Sequence, residues 1–111
     1  MYGELKAEAL YFNAYFKNQN KKYAESNKVV QTLIADYPTY KYWGVKSYII
    51  MAKNYYGLKD AYQATYMLEN IIKNFTQFDD VILDAQRELS TIKTNEAKTN
   101  ESVTPNNNKR D

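Results

Sequence analysis

Residues Tyr42–Phe75 read YWGVKSYIIMAKNYYGLKDAYQATYMLENIIKNF, and this stretch decides the fold. Tyr48, Met51, Ala52 and Tyr55 recur at the three-and-four spacing of one helix face, where a strand would alternate. Gly57-Leu58-Lys59-Asp60 interrupts the pattern. Glycine tolerates the left-handed backbone that ends helices, and aspartate is a preferred N-cap for the next one. A second helix follows with Ala61, Ala64, Leu68, Ile71 and Ile72 on one face. Ala52 and Ala64 fall where the two axes come closest, because small residues let two backbones approach. The stretch is therefore expected to be an amphipathic helical hairpin with an alanine crossing.

The segments on either side read as neighbours packed against it. Glu4–Lys17 is the core of a first helix, expected over about 4–18. Its Leu5, Ala9, Phe12 and Phe16 repeat at four, three and four residues, a stripe expected to face the core, while Tyr11 and Tyr15 lie on another face. Asn18–Lys22 is a polar turn with Asn20 as its left-handed residue. Tyr23 opens a helix that runs to about Asp36 with Ser26, Val30, Leu33 and Ile34 inward, and Tyr37-Pro38 ends it.

The order of residue types in the central hairpin resembles the tetratricopeptide repeat. Tyr48, Met51-Ala52, Tyr55, Ala61, Ala64, Leu68 and Ile71 match the family's positions in order, with Ala61 in place of a tyrosine and Thr76 in place of the closing proline. The signature returns at Tyr23, Ser26, Val30, Leu33 and Pro38. For the first helix two registers remain. Ala14 aligned with Ala52 keeps the small position but puts Lys17 on the aromatic one. Phe16 aligned with Tyr55 keeps the apolar stripe but needs a longer turn, and burial of four apolar side chains favours it. The two units are offset by about 38 residues against the family's 34, which fits one added helical turn at Tyr40-Lys41-Tyr42-Trp43. Gly44 inside that helix costs about 1 kcal/mol relative to alanine. Close approach of the preceding helix is the expected reason for it, and a hinge is the alternative.

After Phe75, Asp79 and Asp80 read as N-cap and first-turn acid of a fifth helix, expected over 79–94. Its stripe is Ile82, Ala85, Leu89 and Ile92, and its other face, Asp84, Arg87, Glu88 and Lys93, is polar. Such a helix closes a repeat stack by covering the last apolar face. From Asn95 onward the chain is rich in Asn, Thr, Lys and Glu, so 95–111 is expected to be a disordered polar tail. The resemblance thus implies an all-α, right-handed α-α superhelix over 1–94: hairpins at 4–36 and 40–74, then a capping helix.

Composition narrows the function. The 111 residues carry a net charge of +2, with no cysteine and no histidine. That removes thiolate chemistry, the commonest general base and the commonest metal ligand, so no catalysis, metal or cofactor is expected. The lysines are spread among acids, which argues against nucleic acid. No apolar run approaches the length of a membrane span and no hydrophobic signal segment opens the sequence. Twelve tyrosines suit thin helical layers, since the ring is buried and the hydroxyl stays wet.

In the tetratricopeptide family the first helix of each pair lines an inner surface that binds extended peptides or partner helices. Carried to this chain, that surface holds Tyr11 and Tyr15 on the first helix and Lys46, Ile49, Lys53 and Tyr56 on the third. The lysines there would favour an acidic partner. The family's carboxylate clamp, a lysine–asparagine pair, is not matched on the first helix, so that function is not carried over. The expectation is a non-catalytic interaction or scaffold module for a protein or peptide partner. The resemblance extends to long repeat proteins of Gram-negative cell envelopes, which implies the C-terminal part of a longer bacterial protein and, if exported, a periplasmic or cell-envelope location. The alternative is self-association through the N-terminal apolar edge, Tyr2, Leu5 and Phe12.

Overall fold

A computed structural model describes residues 2–103, with side chains from Tyr2 to Thr99. The chain is all-α, with helices α1 (Tyr2–Gln19), α2 (Tyr23–Asp36), α3 (Lys41–Gly57), α4 (Ala61–Asn74) and α5 (Asp79–Val103). α1 packs on α2 and α3, α2 on α3, α3 on α4 and α5, and α4 on α5. Among the described residues α1 makes no packing contact with α5, so the helices form an open row, 60 × 29 × 17 Å, instead of a closed bundle.

Small residues set the crossings. Ala52 and Ala64 are fully buried in one cluster with Val45, Ile49, Leu68 and Ile71, to which α5 adds Val81, Ala85 and Ile92. A second cluster joins Tyr11 and Ala14 to Val30 and Leu33 of α2 and to Ile50 and Met51 of α3. α3 is thus the shared wall of both clusters.

The face of α1 departs from expectation. Ala7, Tyr11, Ala14 and Asn18 are buried, whereas Leu5, Phe12 and Phe16 are exposed, at 59%, 42% and 58%. The register that pairs Ala14 with Ala52 is the one adopted. Close approach decides it: Ser26 Oγ reaches the carbonyl of Ala14 at 2.7 Å, which a bulky residue at the crossing would prevent. Hydrogen bonding adds to it. Asn18 Nδ2 donates to Asn54 Oδ1 at 2.8 Å, and Asn54 Nδ2 donates to Ser26 Oγ and to Asn27 Oδ1, each at 2.8 Å. This network ties α1, α2 and α3 together around a fully buried Asn54.

The turns differ too. Lys21 (φ 63°) and Lys59 (φ 72°), not Asn20 and Gly57, carry the left-handed backbone. Each closes its helix in the same way. Lys21 N–H reaches Asn18 O and Lys22 N–H reaches Lys17 O, while Lys59 N–H reaches Tyr56 O and Asp60 N–H reaches Tyr55 O. Gly57 instead ends α3 beneath the Tyr23 ring, where a Cβ would collide. Gly44 has nothing within 4 Å of a Cβ position, so close approach is not its reason; its carbonyl accepts from Ser47 Oγ at 2.7 Å. Asp60 caps α4 as expected, accepting from Gln63 N–H at 3.0 Å.

α5 continues to Val103, past the end expected at Thr94. Glu96, Ala97 and Lys98 are good helix formers, and Glu96 accepts a hydrogen bond from Tyr56 of α3 at 3.0 Å, so the helix is held where a free tail was expected. Positions 104–111 of that expected tail lie outside the described residues.

Candidate binding groove

The helix face that α1 turns inward and the polar face of α5 flank α3 on one side, and a groove lies between them. Tyr11 and Tyr15 of α1, Lys46, Ile49, Ile50 and Lys53 of α3, and Asp84, Arg87 and Glu88 of α5 line a volume of about 300 Å³. Five of the six residues expected at the inner surface meet here. The sixth, Tyr56, lines a smaller adjoining pocket of about 190 Å³ that shares Lys53 and Glu88 with the first.

Their roles differ from expectation in one respect. Tyr11 and Ile49 are not spare surface residues: they are 9% and 6% exposed and belong to the two core clusters. The register of α1 turns Tyr11 inward, so it forms part of the groove floor with Ile49 and Ile50. Tyr15 stacks beside Tyr11 with ring centroids 6.4 Å apart and stays half-buried on the rim. Tyr56 is half-buried and packs against the cluster of α3, α4 and α5 while bonding Glu96.

The lysines are already engaged. Lys46 Nζ lies over three rings, 5.1 Å from the centroid of Tyr11, 5.5 Å from Tyr42 and 5.8 Å from Trp43. Lys53 Nζ sits 3.8 Å from Glu88 Oε2, and Arg87 lies 3.7 Å from Asp84 one turn away. Three cations thus face two carboxylates, and the groove is mixed in charge rather than basic. Asp84, Arg87 and Glu88 are not among the expected residues, because a capping helix is expected to turn its polar face to water alone. Their spacing alongside the Val81, Ala85 and Leu89 stripe was the available signal.

Ionisation follows these contacts. Burial, then the charge of Asp84, pushes the Tyr11 hydroxyl above its usual range. Burial, then the hydrogen bond to Glu96, raises that of Tyr56. One turn before Lys46, Tyr42 Oη donates to Asp80 Oδ2 at 2.5 Å. That bond pushes Tyr42 up to about 12 and holds Asp80 below the usual carboxylate range. Asp79 and Asp80 both lie in the first turn of α5, and Asp80 links that turn to α3 instead of only capping its own helix.

A second groove, about 330 Å³, lies on the opposite side of α3 against α4, lined by Tyr48, Met51, Tyr55, Tyr66, Met67 and Phe75 among others. Among the described residues no group of three or more His, Cys, Asp or Glu could hold a metal ion, and no helix is long and apolar enough to cross a membrane. The chain matches no protein-family model, no curated protein and no solved structure.

Proposed function

We propose that the protein is a non-catalytic interaction module, built as a tetratricopeptide-like stack of two hairpins and a capping helix, that binds a peptide or helix of another protein along the α1–α3–α5 groove. The observation that carries this reading is the convergence of Tyr11, Tyr15, Lys46, Ile49 and Lys53 on one open groove. Support for the stack comes from its repeated parts. Ala14 and Ser26 at one crossing correspond to Ala52 and Ala64 at the other, and Lys21 corresponds to Lys59 at the turns, all at the same sequence offset.

The groove has an apolar floor, Tyr15 on its α1 side and charged groups of both signs along α3 and α5. That arrangement suits a ligand whose apolar side chain enters between Tyr11 and Ile50 while its polar groups exchange with the Lys53–Glu88 and Arg87–Asp84 pairs. Tyrosines supply contact area with little entropy to lose. An acidic group on the ligand would reach Lys53 or Arg87 only by competing with an acid of α5, so affinity should depend modestly on salt. Peptides selected from a displayed library against the whole chain test the reading. Tyr15→Ala with Arg87→Ala should leave the helical circular dichroism intact and weaken the selected peptides at least tenfold. Undiminished binding to that variant counts against the groove.

A further inference from the structure

We propose that two copies of this chain pair through the outward face of α1. The face is a continuous stripe, Tyr2, Leu5, Ala9, Phe12 and Phe16, diametrically opposite the buried Ala7, Tyr11, Ala14 and Asn18. Its spacing of three, four, three and four residues is that of a helix–helix seam with a 3.5-residue period. Tyr2, Leu5, Phe12 and Phe16 are 72%, 59%, 42% and 58% exposed. The more apolar of the two α1 faces therefore points away from the fold.

The molecule shows what such a face does when it is covered. The offset that carries Ala14 to Ala52 and Lys21 to Lys59 carries Phe12 to Ile50 and Phe16 to Asn54. Those two positions of α3 are buried, Ile50 against Tyr11, Val30 and Leu33, and Asn54 in hydrogen bonds to Asn18 and Ser26. The α1 stripe is thus the same packing face, with no helix against it among the described residues.

A second copy fits it by its own pattern. Ala9 stands at the centre of the stripe with large residues on both sides, so two such helices meet alanine to alanine and enclose that contact with Leu5, Phe12 and the outer rings. Among the described residues α5 offers no apolar stripe to match it, and the exposed Tyr62 and Tyr66 belong to α4. Beside one exposed leucine, Leu83, the outward side of α5 presents Gln86 and Ser90. Head-to-tail stacking is disfavoured, and a closed two-fold pair remains. The four large side chains expose roughly 500 Å², near the largest apolar patch of an ordinary monomer. Burying both stripes removes about 1,000 Å², the size of a weak, transient interface, so the dimer should form and dissociate with concentration.

Sedimentation velocity of the full chain from about 5 to about 500 μM should show monomers passing into dimers. Leu5→Glu with Phe16→Glu should leave helical content unchanged and keep the protein monomeric throughout, while Leu83→Glu should associate like the parent. Because the chain has no cysteine, Ala9→Cys under mild oxidation should give a disulfide-linked dimer and Ser90→Cys should not. A monomer at every concentration, or a dimer that survives the α1 double substitution, overturns the proposal. Neither result bears on peptide binding in the groove.

Discussion

Replacing Asn54 by alanine removes the centre of the network that joins three helices. The side chain is fully buried and makes three hydrogen bonds, to Asn18, Ser26 and Asn27. Each buried hydrogen bond contributes about 0.5–1.5 kcal/mol net, and leaving a buried partner unsatisfied costs about 1–3 kcal/mol. Asn18, itself buried, loses its acceptor; Ser26 keeps its bond to the Ala14 carbonyl, so the loss there is partial. The expected destabilisation is about 2–4 kcal/mol, measured by urea unfolding at neutral pH. Asn54→Asp sharpens the test. A carboxylate there has no cation in the network, so its folded pKa should rise above that of the unfolded chain. Stability of that variant is then greatest below the unfolded carboxylate pKa and falls as pH rises through the folded one. Asn54→Asp should therefore approach the parent in mild acid and fall well below it at neutral pH, while Asn54→Ala shows no such recovery relative to the parent. A loss under about 1 kcal/mol for Asn54→Ala, or no pH dependence for Asn54→Asp, would refute the reasoning.

Ala64→Leu should destabilise by about 1–3 kcal/mol through overpacking at the α3–α4 crossing, read by the same unfolding assay; a variant that melts like the parent would contradict the close crossing. Spectrophotometric titration should find Tyr42 ionising near 12. Its folded pKa lies above the ordinary value, so its stabilising effect is complete below about 10 and is lost as pH climbs through 12. Asp80 works in the other direction: its lowered pKa contributes above the ordinary carboxylate range and is lost as pH falls through the folded value. Asp80→Asn should bring the Tyr42 transition back toward that of a free tyrosine, and an unchanged titration would show that the Tyr42–Asp80 bond does not form.

The central hairpin was legible because its two clues agree: one apolar stripe per helix and alanines where the axes cross. α1 carries two apolar stripes, and the clues conflict there. Counting apolar side chains favours Leu5, Ala9, Phe12 and Phe16. Crossing distance and hydrogen bonding favour Ala7, Tyr11, Ala14 and Asn18, and these win because Ser26 and Asn54 need a close neighbour that can bond. Apolar area carries no trace of that, since Asn18 and Asn54 look like surface residues in a sequence. The same reversal moved Tyr11 from the rim of the groove to its floor. Although Ile49 belongs to the core, the groove's α3 side was readable from helical phase together with the resemblance, which supplies the inner surface. Its α5 wall was not, because Asp84, Arg87 and Glu88 acquire a role only when α5 lies along α3. The length of α5 is only half legible: Glu96, Ala97 and Lys98 favour helix, but the bond from Tyr56 to Glu96 that holds it is tertiary and has no local sign.

Amide chemical-shift mapping on the whole ¹⁵N-labelled chain, titrated with a peptide selected for binding, tests the proposed function most directly. The expected result is saturable shifts concentrated at Tyr15, Lys46, Ile50 and Lys53 and across the gap at Asp84, Arg87 and Glu88, with little change at Tyr66 and Met67 on the opposite side of α3. Shifts concentrated at Tyr66, Met67 and Phe75 with the first set unmoved would contradict it and place the binding surface in the other groove.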